Sequence, residues 1–118
     1  MILTTKEIGE FGERVACEYL EDKGYDILKR NFRVKTGEID IIARDDECTV
    51  FVEVKTRQNN NFGEPSEAVG YHKQQKLIKT AACYTDIENN EIRFDVVEVF
   101  YDIKDMKVLK VNHIENAF

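Results

Sequence analysis

Two short runs place ionisable residues where apolar ones are expected. In Val50-Phe51-Val52-Glu53-Val54-Lys55 the residue types alternate as a strand would present them, because side chains two apart share a face. The valines fall on one face, and Glu53 with Lys55 on the other. Glu38-Ile39-Asp40-Ile41-Ile42 repeats the anomaly, with Glu38 and Asp40 together on one face. A carboxylate or an ammonium inside so apolar a strand is costly unless it is paired or binds an ion.

Carboxylates on neighbouring strands suit Mg²⁺ or Mn²⁺, which take oxygen ligands and are held by one or two carboxylates plus substrate phosphate. Such an ion activates water and stabilises charge on phosphoryl and leaving oxygens. A lysine beside it can stabilise the transition state or position the attacking water. The residues therefore point to phosphodiester hydrolysis. Asp40 and Glu53 are the expected metal ligands, Glu38 is a weaker additional one, and Lys55 serves the water or the transition state. On spacing alone, D-x12-E-x-K is a loose pattern and fits a purely structural buried ion pair better than a site.

The elements that must position these residues follow from periodicity. Thr4 and Glu7 have capping-box spacing, Gly24 suits a helix end, and Ile8, Phe11, Val15, Ala16 and Tyr19 recur at helical spacing, which predicts a helix from about Thr4 to Lys23. Most of its acids project away from that stripe. Glu13 lies on its flank beside Gly9, Ala16 and Leu20, where small neighbours would let the carboxylate approach a sheet. Strands are expected over Tyr25–Val34, Glu38–Ala43 and Thr49–Thr56, separated by Lys35-Thr36-Gly37 and Asp45-Asp46. An irregular stretch, Arg57–Ser66, precedes a second helix over Tyr71–Thr85 that should bury Leu77, Ile78, Ala81 and Ala82. Two more strands, Glu91–Tyr101 and Met106–Val111, complete an αβββαββ order in one α/β domain spanning 1–118, in two or three layers.

Composition narrows the class. With 118 residues, 42% of them hydrophobic and 34% charged, the chain can form one compact core. No apolar run approaches a membrane span, and Met1–Glu7 lacks the pattern of a signal peptide, so the expected location is the cytoplasm with no membrane association. Cys17, Cys48 and Cys83 form no CxxC pair and are expected to be buried as small apolar residues. His72 and His113 form no HExxH pair and are read as surface or structural residues. The net charge of −6 excludes binding of nucleic acid by bulk charge. Local basic stretches remain, at Lys29, Arg30, Arg33 and Lys35 and again at Lys73, Lys76 and Lys79. From these Arg33, Lys73 and the more distant Arg57 are candidate phosphate contacts.

Longer motifs then add a resemblance. Gly9-x-x-x-Glu13-Arg14, Gly24-Tyr25, Asn31-x-Arg33, Gly37-Glu38-Ile39-Asp40-Ile41-Ile42-Ala43 and Phe51-Val52-Glu53-Val54-Lys55-Thr56-Arg57 are similar to the YraN-like family of bacterial proteins. The similarity runs on through the Lys73–Tyr84 segment, Arg93-Phe94-Asp95-Val96 and Asn116-Ala117-Phe118, essentially the whole chain. That family resembles archaeal Holliday-junction resolvases and other PD-(D/E)xK, restriction-endonuclease-like nucleases. The resemblance implies a central mixed sheet flanked by helices and an active site of Glu13, Asp40, Glu53 and Lys55, with Glu13 completing the metal site. It also implies a Mg²⁺- or Mn²⁺-dependent endonuclease acting on DNA, branched or damaged, in a cytoplasmic role in repair or recombination. A homodimer or a protein partner recruiting it to DNA would fit such substrates. Two rival expectations stand beside it: a non-catalytic nucleic-acid-binding module, and a protein-interaction module retaining the nuclease fold.

Overall fold

The computed structural model describes residues 3–58 and 69–118. Helix α1 (Thr5–Asp22) opens the chain, followed by strands β1 (Asp26–Val34), β2 (Gly37–Asp45) and β3 (Cys48–Gln58). Helix α2 (Tyr71–Tyr84) and strands β4 (Ile92–Asp102) and β5 (Lys107–Ile114) complete the αβββαββ order. The five strands form one open sheet in the order β1-β2-β3-β4-β5. All neighbours are antiparallel except β3 and β4, which are parallel, so the sheet is mixed. The crossover between the parallel pair contains α2, as parallel pairing requires.

The expected caps form. Thr4 accepts from the Glu7 N–H at 3.1 Å and the Glu7 carboxylate accepts from the Thr4 N–H at 2.9 Å. Gly24, at φ +97°, supplies the left-handed turn that ends α1.

The helices cover opposite faces, giving three layers. Ala16, Cys17 and Leu20 of α1 pack on Ile41, Ala43, Val50, Val52, Val97 and Val99. Leu77 and Ala81 of α2 pack on Ile42, Phe51, Phe94 and Val96 from the other side. This arrangement is consistent with the restriction-endonuclease-like fold that the resemblance implies.

Several expectations need correction. Strand β5 runs on to Ile114 rather than stopping at Val111, because its last residues pair with Val96 and Val97. Ala82 is exposed, and Thr80 takes the inward place, donating to the Lys76 carbonyl at 2.8 Å. The reason is angular: Ala82 lies five residues beyond Leu77, about 140° away on the helix. Cys17 and Cys48 are buried, but Cys83 sits on the outer side of α2 and is exposed. The Arg57–Ser66 stretch falls mostly outside the described residues, which resume at Val69. Among the described residues no helix is long and apolar enough to cross a membrane.

Candidate functional site

The sheet forks at Asp40. The β2–β3 ladder ends at the Ile41–Val52 pair, while β3 continues to Gln58 paired with β4 alone. Regular alternation also fails there. Ile39 packs in the α2-side core and Ile41 in the α1-side core, although residues two apart share a face in a regular strand. Strand β2 therefore turns over at Asp40. Opposite it in β1, Asn31 adopts a left-handed φ of 52°, a conformation asparagine tolerates better than most residues. The Asp40 carboxylate is thus turned toward β3, where Oδ2 accepts the Val54 N–H at 2.8 Å.

Glu53 and Lys55 lie on β3 just past the fork, on the face opposite the core-packed Val52 and Val54. The Glu53 side chain is 13% exposed, and its Oε1 pairs with Lys73 Nζ from the first turn of α2. Its other oxygen, Oε2, is the one buried side-chain polar atom among the described residues with no hydrogen-bond partner. Glu13 reaches the same region from α1. It can do so because its neighbour is Gly12, where a Cβ would overlap the Thr56 hydroxyl of β3, so the helix lies close on the strand. Asn31 hydrogen-bonds the Glu13 carboxylate.

The charges of these residues act on one another. Burial pushes the Asp40 carboxyl up to about 6, and the charges of Glu13, Glu53 and Glu38 push the same way, against the Val54 N–H bond. Burial also raises Glu13, opposed by its bond from Asn31 and the nearby Arg30, with Glu38 adding repulsion. Two clefts meet at Glu38. One, of about 440 Å³, is lined by Lys6, Glu10, Glu13, Asn31 and Arg33, and the other, of about 340 Å³, by Asp40, Glu53, Lys73 and Leu77. Acids and cations alternate along this depression, with Arg33 set against Glu38 where the clefts meet and Lys73 against Glu53.

The remaining expected residues are placed as follows. Glu38 is exposed and pairs with Arg33 at 3.1 Å. Arg57 is only 21% exposed and its Nε donates to Glu98 at 2.9 Å, so its guanidinium faces the sheet rather than solvent. Arg33 and Lys73 are 72% and 56% exposed, within reach of a ligand.

Sequence reasoning passed over Glu98. It stands in register with Lys55, is 1% exposed, and accepts from Arg57 and from Asn112 Nδ2 at 2.8 Å. The signal was available, since Val97-Glu98-Val99 has the same charge-in-apolar pattern as Val52-Glu53-Val54.

A second polar cluster lies between the start of β4 and the end of β5, and was also passed over. Asp95, His113 and Glu115 have donor atoms within 4.8 Å of one another and could hold a metal ion by spacing alone; Glu13, Asp40 and Glu53 are not such a group. Arg93 already serves Asp95, donating Nε to Oδ1 at 2.8 Å and a second N–H to Oδ2 at 2.9 Å. His113 Nε2 lies 2.7 Å from the same carboxylate, and the Asn116 N–H donates to it at 3.0 Å. Burial would raise Asp95, but His113, Arg93 and Asn116 together hold it down to about 2. The His113 side chain is thereby enclosed and paired rather than on the surface.

A UPF0102 protein from Caldanaerobacter subterraneus subsp. tengcongensis is 50% identical, over 96% of this chain and 95% of the relative. Another from Clostridioides difficile is 47% identical, over 98% of this chain and 100% of the relative. Among solved structures, an fdxN element excision controlling factor protein from Anabaena variabilis has a TM-score of 0.44 at 13% identity, covering 86% of this chain and 98% of that one. An XisH family protein from Nostoc punctiforme has a TM-score of 0.42 at 15% identity, over the same shares of the two chains. Neither structure is near enough to carry an argument. The family described as "Uncharacterised protein family UPF0102" matches residues 12–99. On that match and these relatives, the chain belongs to the UPF0102 family.

Proposed function

We propose that the fork between β2 and β3 is the active site of a divalent-metal-dependent endonuclease that hydrolyses DNA phosphodiester bonds. The observation that carries this reading is the under-neutralised group of carboxylates around Asp40. Asp40 is raised by burial and by three neighbouring acids, and the adjoining Glu53 keeps a buried oxygen with no partner. A structural ion pair would leave neither feature, because buried charges are normally fully partnered.

The donor set fits Mg²⁺ or Mn²⁺. Asp40 and Glu53 would hold the ion, with Glu13 and, more weakly, Glu38 at its margin. When bound, the ion would supply charge stabilisation on the phosphoryl oxygens and activation of water. The chain's own residues do the rest. The Val54 N–H fixes the Asp40 carboxylate in place. Asn31 holds Glu13 against the fork. Lys55, one step along the strand face from Glu53, stabilises the transition state or orients the attacking water. Cations lining the two clefts, Lys6 and Arg33 in one and Lys73 in the other, would meet phosphates of a DNA strand.

With a net charge of −6, affinity rests on these local cations, so binding should be weak and steeply salt-dependent. That suits recruitment by a protein partner or pairing of two copies on a branched or damaged substrate in the cytoplasm. The test is cleavage of linear, flapped and four-way DNA by the purified protein with Mn²⁺ or EDTA. Wild type should cut with Mn²⁺ alone, and Lys55→Ala should keep metal binding but lose about 10²-fold or more in rate. Mn²⁺-bound protein that leaves all three substrates intact would favour a non-catalytic binding module.

A further inference from the structure

We propose that Lys73 is a positioning residue that occupies the Glu53 carboxylate while the divalent ion is away and is released to a substrate phosphate when the ion binds. This inference rests on the reading of Asp40 and Glu53 as the cation site. Lys73 pairs with Glu53 Oε1 and leaves Oε2 without a partner, so the carboxylate is only half satisfied. The two ends of the pair differ in freedom. Glu53 is 13% exposed and fixed in the strand, whereas Lys73 is 56% exposed on a flexible four-carbon stem. A doubly charged ion arriving between Asp40 and Glu53 repels the ammonium and offers both carboxylates a stronger partner.

The released ammonium can turn outward, because Lys73 lies at the open side of the Asp40–Glu53 cleft with more than half of its side chain exposed. It stands in the first turn of α2, whose N-cap is Gly70, with no side-chain cap bond and no acid in that turn. Phosphate is favoured at such a helix start with a lysine beside it. The contrast with Arg57 is instructive, because that cation is tied to a fully buried glutamate and cannot exchange in the same way. An arginine at position 73 could grip both Glu53 oxygens at once, which would hold the site shut.

Calorimetric titration with Mn²⁺ tests the exchange without any need for turnover. Lys73→Gln should bind Mn²⁺ about fivefold to tenfold more tightly than wild type, Lys73→Arg more weakly, and Asp40→Asn should remove the site in each background. A second measurement follows the ammonium. In a Lys55→Ala background, the salt dependence of binding to a duplex oligonucleotide should be the same with lysine or glutamine at position 73 in EDTA. With Mn²⁺ the lysine form should be steeper, its log–log slope larger by about 1. Lys73→Gln binding Mn²⁺ no more tightly than wild type would overturn the exchange while leaving the metal site standing. Wild type with no Asp40-dependent Mn²⁺ binding would instead overturn the site itself.

Discussion

Asp40 and Asp95 both lie inside strands of one sheet, and both carboxylates are largely enclosed. Their surroundings act on them in opposite directions. Around Asp95 every approach is filled by a donor: Arg93 with two N–H groups, His113 Nε2, and the Asn116 N–H. The carboxyl is held down to about 2 and the cluster is electrostatically closed. Around Asp40 a single N–H is set against three acids, and the carboxyl rises to about 6. Donor-atom spacing alone points to the Asp95 cluster as the place for a metal. Charge balance points to the Asp40 fork, since Arg93 already supplies at Asp95 what a cation would. Closed clusters hold a fold together, and open ones keep room for a ligand.

The largest effect should come from opening the closed cluster. Arg93→Met leaves Asp95 buried beside His113 without its main cation, and should cost about 3–5 kcal/mol in chemical denaturation, with or without Mn²⁺. The C-terminal segment should loosen with it, because Asn116 and Ala117 bond to Asp95 and Phe94. A loss below about 1 kcal/mol would mean that the cluster does not hold the fold.

The two aspartates should also give opposite pH dependences. Asp95, held below its ordinary 3.8, contributes stability present above that value and lost as pH falls toward 2. Asp40, raised from 3.8 to about 6, is better protonated in the folded chain, so its contribution is full below pH 4 and lost as pH rises through 6. The displacement corresponds to as much as about 3 kcal/mol of stability lost between pH 4 and 7 in EDTA. Asp40→Asn should flatten that decline, and denaturation midpoints at half-unit pH steps will show whether it does. An unchanged decline in the variant would place its source elsewhere.

The smallest effect concerns how Glu13 is delivered to the open cluster. Gly12→Ala should cost about 1–3 kcal/mol, because the added methyl collides with Thr56 and lifts α1 from β3. If the fork depends on Glu13, the same variant should weaken Mn²⁺ binding, whereas Gly9→Ala, which meets open space inside the helix, should leave Mn²⁺ binding unchanged and stabilise the fold by about 0.5–1 kcal/mol.

The element order was readable because each segment carries a local signal. The Thr4–Glu7 box, Gly24 and the alternation of Val50 to Val54 are written in adjacent residues. The acids of the site were readable for the same reason, as charges interrupting apolar strands. The geometry that makes them a site was not. The turnover of β2 at Asp40 lies opposite a left-handed Asn31 in the neighbouring strand, and the Lys73–Glu53 pair joins residues on different elements. The closed cluster brings Tyr25, Arg93, Asp95 and His113 together from three parts of the chain, the Tyr25 hydroxyl accepting from Arg93 at 2.6 Å. Nothing in any one segment announces it. The exposure of Ala82 and Cys83 follows from their angle to Leu77 on the helix, about 140° and 240°, which their apolar residue types conceal.

The central claim is that the metal belongs to the open cluster and not to the closed one. Calorimetric titration of Mn²⁺ into wild type, Asp40→Asn and His113→Gln at pH 7.5 separates them, with folding of each checked by circular dichroism. Wild type and His113→Gln should bind with the same affinity, and Asp40→Asn should lose the site. Binding that survives in Asp40→Asn and disappears in His113→Gln would move the metal to Asp95 and contradict the account.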